Sequence, residues 1–148
     1  MNVSRVDCTD FVTEIEAPAE VVFAKLQNLA VWPTWTRAIK KAWARSDGAW
    51  REGYKFTMKT MVAPVPLPVT VYELEQNRLI GWGVRNPLLT LLHRMEIEPL
   101  GPERCRVRNH EFVEGPLAKP VGRLVAKRID RLDRQWAADL AKSFDPEV

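Results

Sequence analysis

Hydrophobic and polar positions alternate with a period near two along most of this chain and change to a helical period in two places. Residues 3–16 alternate loosely. Phe11, Thr13 and Ile15 fall on one side and Val12 and Glu14 on the other, as in a strand. Pro18 then stands where a helix tolerates a missing N–H. Val21, Val22, Leu26 and Leu29 follow at helical spacing, which predicts a short amphipathic helix over residues 18–29. Pro33 limits its continuation.

From Arg37 onward short alternating runs are separated by turn residues, the mark of a meander. One strand is expected over 37–45, ended by Ser46-Asp47-Gly48. In the next, Trp50, Tyr54, Phe56 and Met58 alternate. Residues 61–68 contain three prolines and cannot donate a full ladder of hydrogen bonds, so they predict a stiff loop or an edge. Strands follow over 69–75, 80–84, 91–98 and 105–113, with turns at Gln76-Asn77, Asn86-Pro87 and 100–103. Gly115-Pro116 stops the run. From Leu117 to Phe144 apolar residues recur at steps of four and three, which is an amphipathic helix of about seven turns. Its stripe needs burial, and the strands are the only large partner.

Five local patterns occur in this order. They are Ile15-Glu-Ala-Pro18 before Val21-Val22-Phe23, Trp32-Pro-Thr-Trp35, Gly53 in the second hairpin, His93 with Ile97-Glu-Pro99, and Glu111-Phe-Val-Glu-Gly115 leading into the last helix. Together they resemble the START-like superfamily, and most closely its polyketide cyclase/dehydrase branch. The resemblance implies an α+β helix-grip fold: a seven-stranded curved antiparallel sheet wrapped round the long C-terminal helix, with two short helices closing one end. It implies one ligand-binding domain over residues 1–148 with an apolar cavity. Members of the superfamily carry lipids, hormones or quinones, or form aromatic rings, so the fold leaves the activity open.

Composition narrows the picture modestly. The chain has 148 residues, 46 % apolar and 28 % charged, ordinary values for a globular protein. No apolar run is long enough to span a membrane, and the first residues lack a signal peptide's apolar centre, so a cytoplasmic protein is expected. The two cysteines, Cys8 and Cys105, have no CxxC spacing and are expected as free thiols filling space. The net charge of +3 is mild. Basic residues gather on the last helix as Arg123, Lys127, Arg128, Arg131 and Arg134, interleaved with Asp130 and Asp133. They predict a solvated face; an RNA or acidic-membrane contact is the other reading, and no nucleic-acid motif accompanies them. A hydrophobic or amphipathic small molecule (lipid, quinone or polyketide-like) is the expected partner, with the chain a monomer or a homodimer; a polyketide cyclase/dehydratase-type enzyme and a protein-interaction module with a vestigial cavity are the alternatives.

Candidate chemistry sits in the hairpin of residues 91–113. A turn centred near residue 101 pairs residues whose numbers sum to about 202. That sets His93 opposite Asn109, with Glu111 one step along on the same face and within about 7–8 Å. Three polar groups then converge on an apolar interior. Glu111 and His93 suit acid/base chemistry on a ketone. Equally, the three could orient a ligand oxygen or simply satisfy one another. Phe56, Met58, Trp82 and Met95 are expected to point inward, and Val121 and Val125 of the last helix complete the candidate ligand-binding set. Trp32 and Trp35 are expected to anchor the short helices, and Trp136 to pack the long one. The face of Trp43 is ambiguous. There is no phosphate-binding glycine loop and no GxSxG elbow. His93 and His110 should face opposite sides of the sheet, so no metal site and no cofactor are expected.

Overall fold

The computed structural model describes residues 4–145. Seven strands form one antiparallel sheet in the order β1-β7-β6-β5-β4-β3-β2. They are β1 (Arg5–Ile15), β2 (Ile39–Ala44), β3 (Lys55–Thr60), β4 (Leu67–Glu75), β5 (Leu79–Arg85), β6 (Thr90–Gly101) and β7 (Arg104–Glu114). The first two strands lie at opposite edges. The connection between them therefore crosses the width of the sheet, through α1 (Ala19–Leu26), a 3-10 turn (Leu29–Val31) and α2 (Trp32–Trp35). The chain closes with α3 (Ala118–Lys142), which packs along β1 and β7 inside the curve of the sheet.

The curvature has local causes. Register breaks occur at Asp7/Thr9, Ile39/Lys41, Val71/Glu73 and Pro99/Gly101. Each inserted residue bends its strand and raises the local twist. The break in β2 also settles Trp43. It puts Ile39 in the core and leaves Trp43 37 % exposed, although a strict alternation would place both on one face. Asn77, at φ +60°, closes the β4–β5 turn in the left-handed region that asparagine tolerates.

The short helices differ from the sequence expectation in detail. Pro18 caps α1 from outside, and Val21 is exposed while Ala19, Val22, Phe23 and Leu26 are buried. Leu29 belongs to the 3-10 turn, and Pro33 lies in the first turn of α2, where its missing N–H costs nothing. The proline loop ends earlier than expected, because Leu67 and Pro68 already pair with Met58 and Thr57.

Aromatic packing joins these parts. Trp32 at the start of α2 lies edge-on to Phe56 of β3 and Trp136 of α3, with centroids 5.6 and 4.9 Å apart, and tilted against Trp82 of β5 at 5.4 Å. Such pairs are worth about 0.5–1.5 kcal/mol each beyond the area they bury. Trp32 thus fixes α2 to the sheet and to α3 at once. Cys8 and Cys105 are buried free thiols. Burial first, then the charges of Glu111, Asp133 and Asp7, push the Cys8 thiol up to about 11.

Candidate functional site at the inner end of the cavity

The β6–β7 hairpin carries the site, in a register two residues from the expected one. His93 lies directly opposite Glu111, and Asn109 opposite Met95. The turn falls at Pro102-Glu103, beyond the expected centre near residue 101, and the irregularity at Pro99/Gly101 takes back one position of the offset along the rest of the hairpin. A shift of two keeps every side chain on its own face, so the same three groups still meet. His93 Nε2 donates to Asn109 Oδ1 at 2.9 Å across the diagonal. Its Nδ1 lies 3.7 Å from Glu111 Oε1.

A fourth group comes from α3. Asp133, expected on the solvated face, is 2 % exposed, and its Oδ1 lies 3.9 Å from His93 Nδ1. The helical period accounts for this. Asp133 stands four residues after Ile129, three before Trp136 and four before Ala137, all three buried. The neighbouring Leu132 is the more peripheral residue. The basic side chains Arg123, Lys127, Arg128, Arg131 and Arg134 are exposed, as the sequence implies. Asp130 is half-buried and accepts from Thr9 Oγ1 at 2.6 Å.

Burial dominates the electrostatics. The Glu111 carboxyl is held well above the usual range by burial and then by the Asp133 charge, with His93 opposing. Burial raises Asp133 to about 7; hydrogen bonding from Glu111 lowers it and the charge of Asp130 raises it. The pair therefore retains protons where exposed carboxyls have lost them. With Nε2 engaged by Asn109, the His93 ring turns Nδ1 towards both carboxyls. Among the described residues, Asp133 Oδ2 and Asn109 Nδ2 are buried without a hydrogen-bond partner.

These groups end a cavity of about 330 Å³. Its walls are mostly apolar: Met58, Val69, Trp82 and Val84 from the sheet, Leu91 and Val113 beside the hairpin site, and Val121, Val125, Ile129 and Trp136 from α3. The loop from Val62 to Pro66 borders it opposite the half-buried Val121 and Val125 and the exposed Arg128. Six of the candidate ligand contacts line the cavity: Met58, Trp82, His93, Glu111, Val121 and Val125. Phe56 and Met95 are fully buried elsewhere in the core, and Asn109 stands behind His93. Trp32 and Trp35 do not reach the cavity either. A larger open depression, of about 980 Å³, lies on the other side of the sheet. It is bordered by Glu75, Arg78, Glu98, Arg106 and Arg108, and holds none of these groups.

A long helix gripped by a curved seven-stranded sheet, with a hollow and a buried polar cluster at its inner end, defines a START-like helix-grip protein. The family model described as "Polyketide cyclase / dehydrase and lipid transport" matches residues 8–144, and the chain belongs to that family. Among solved structures it is similar to a START superfamily protein from Mycobacterium smegmatis (18 % identity, 95 % of this chain and 98 % of that one, TM-score 0.71). It is also similar to the Zhui aromatase/cyclase from Streptomyces sp. R1128 (16 %, 99 % and 98 %, TM-score 0.65). A third is norcoclaurine synthase from Thalictrum flavum, a point mutant in complex with a transition-state analogue (13 %, 97 % and 96 %, TM-score 0.72). At these identities the likeness is one of fold. No curated protein matches the chain in sequence. Among the described residues, no helix is long and apolar enough to cross a membrane.

Proposed function

We propose that this protein, acting as one unit over residues 1–148, binds a compact amphipathic small molecule. The body of the ligand lies between Met58, Trp82, Val121 and Val125, and one oxygen is seated against His93, Glu111 and Asp133. The observation that carries this reading is the cavity itself: mostly apolar walls on which the buried polar groups His93, Glu111 and Asp133 converge. Its volume of about 330 Å³ is near the lower limit of small-molecule pockets. That favours a fused-ring or single-chain molecule, such as a quinone or a polyketide-like ketone, over a two-chain lipid. A protonated Glu111 supplies a donor for the ligand oxygen.

A second reading is favoured by the cluster's electrostatics. Two buried carboxyls with raised proton affinity beside an imidazole are equipped to exchange a proton with a ketone. In that role Glu111 acts as acid or base and His93 is its proton partner. An aromatase/cyclase and norcoclaurine synthase share the fold.

Calorimetric titration with 1-naphthol, a compact aromatic alcohol, tests the first reading. The wild type is expected to bind one equivalent, and Val125→Trp, which fills the hollow, to weaken binding at least tenfold while remaining folded. Equal affinity in the two proteins, or none in the wild type, overturns it. Glu111→Gln separates the two readings. Binding is expected to survive this change, and a catalytic role for Glu111 requires that turnover of any ketone substrate be lost with it.

A further inference from the structure

Periodicity along the strands offers no reason to expect a metal, since the two histidines lie on opposite faces of the sheet. Asp133 changes the chemistry of the interior. We propose that His93, Glu111 and Asp133 form a binding site for one divalent first-row transition-metal ion, of the class of Zn²⁺ or Fe²⁺. This goes beyond the small-molecule reading and does not depend on it.

One donor atom from each residue lies within 4.8 Å of the others. In a tetrahedral site with bonds of 2.0–2.2 Å, donors stand about 3.3–3.6 Å apart. The His93 contacts of 3.7 and 3.9 Å are already near that spacing. Asn109 supports the histidine from behind. By accepting from His93 Nε2 at 2.9 Å, it directs the Nδ1 lone pair at the two carboxyls, as outer partners of metal-bound histidines do. Among the described residues Asp133 Oδ2 is buried with no hydrogen-bond partner, a position that a cation can occupy.

Charge argues the same way. Two carboxylates and a neutral imidazole around a divalent ion sum to zero, which leaves no uncompensated charge in the apolar interior. One histidine and two carboxyl oxygens are a donor set that suits Zn²⁺ or Fe²⁺, and without sulfur it does not suit cuprous copper. All three ligands line the cavity, so the ion's open position faces into it.

Co²⁺ titration of the chelator-treated protein, with no organic ligand present, provides the test. One equivalent should bind, with visible bands of the intensity given by four- or five-coordinate cobalt, and Zn²⁺ should displace it. Asp133→Asn and Glu111→Gln should each weaken binding at least about a hundredfold, and Asn109→Leu about 10–100-fold with the stoichiometry kept. A cooperative thermal transition certifies each variant as folded. In the wild-type protein, paramagnetic Co²⁺ should shift the ring protons of His93 and spare those of His110, which is held by Asp7 on the other face. Failure to bind one equivalent, binding indifferent to all three substitutions, or perturbation of His110 in place of His93 overturns the proposal. Each of these results is independent of naphthol binding, so the two readings stand or fall separately.

Discussion

At the scale of single residues, the decisive fact is that Asp133 is an acid in a place built for an aliphatic side chain. It is faced by His93 from β6, Glu111 from β7 and the Cys8 thiol from β1, with Asp130 one turn earlier on its own helix. A carboxyl whose folded pKa lies above its unfolded value of about 3.9 keeps a proton in the native state that the unfolded chain has lost. Stability therefore falls as pH rises from about 4 towards 7. The Glu111 carboxyl is displaced in the same direction and adds to the effect. The metal-free protein is accordingly expected to be more stable at pH 5.5 than at pH 8 by a few kcal/mol, since each tenfold gain in proton affinity on folding is worth about 1.4 kcal/mol. Urea unfolding in the presence of a chelator measures this. Asp133→Asn should flatten the dependence, and a wild type more stable at pH 8 would contradict the account.

Asp133 also marks the limit of what the sequence discloses about the site. The alternation along β6 and β7 puts His93, Asn109 and Glu111 on one face, because period two survives any even change of register. The acid on α3 carries no comparable sign. Its neighbours Asp130, Arg131 and Arg134 belong to a charged surface, and the apolar series through Ile129, Leu132 and Trp136 is already complete without it. The one clue is positional: Asp133 is four residues from Ile129 and from Ala137, a spacing that points inward whatever the side chain.

Among elements, the strands and α3 follow their hydrophobic periods closely. The departures arise where a bulge or a turn adds a residue. Alternation cannot count such residues, which explains both the offset of the 91–113 hairpin and the outward face of Trp43. Strand β5 shows a different constraint. Gly81 and Gly83 flank Trp82, and a Cβ on Gly83 would overlap the Leu91 backbone oxygen of β6. Backbone in a paired strand cannot yield as a flexible side chain can. Gly83→Ala is therefore expected to destabilise the protein by about 2–4 kcal/mol. Because Trp82 and His93 are partners in that pairing, it should also disturb the site. Denaturant unfolding checks the first claim. A loss under about 0.5 kcal/mol, the usual ceiling for a neutral surface change, would mean that β5 and β6 separate easily at this point.

Across the whole molecule the packing is uneven. A large apolar cluster runs from Ile15 and the short helices through Trp32, Trp82 and Trp136 to Leu140. A small one, of Cys8, Val113, Ala118 and Ile129, lies at the other end of α3. The polar groups and the hollow stand between them. The first half of α3 therefore has less to hold it: Val121 and Val125 are half-buried, and Leu124 is 74 % exposed. Elements with fewer buried contacts open at lower free energy. Hydrogen exchange is expected to be faster over residues 121–128 than over 132–140, and to slow there when naphthol binds. Uniform protection along α3 would contradict this division.

The indole cluster has an optical consequence. Trp32, Trp82 and Trp136 lie with ring centroids 4.9–6.0 Å apart, and Trp35 is 4.8 Å from Trp136. Transition dipoles at such separations couple as excitons, so the ultraviolet dichroism of this protein is expected to carry a tryptophan couplet on top of its backbone signal. Helix content read from that spectrum without allowance for the couplet will be distorted. The same couplet reports on the cavity, because two of the coupled rings, Trp82 and Trp136, form its wall.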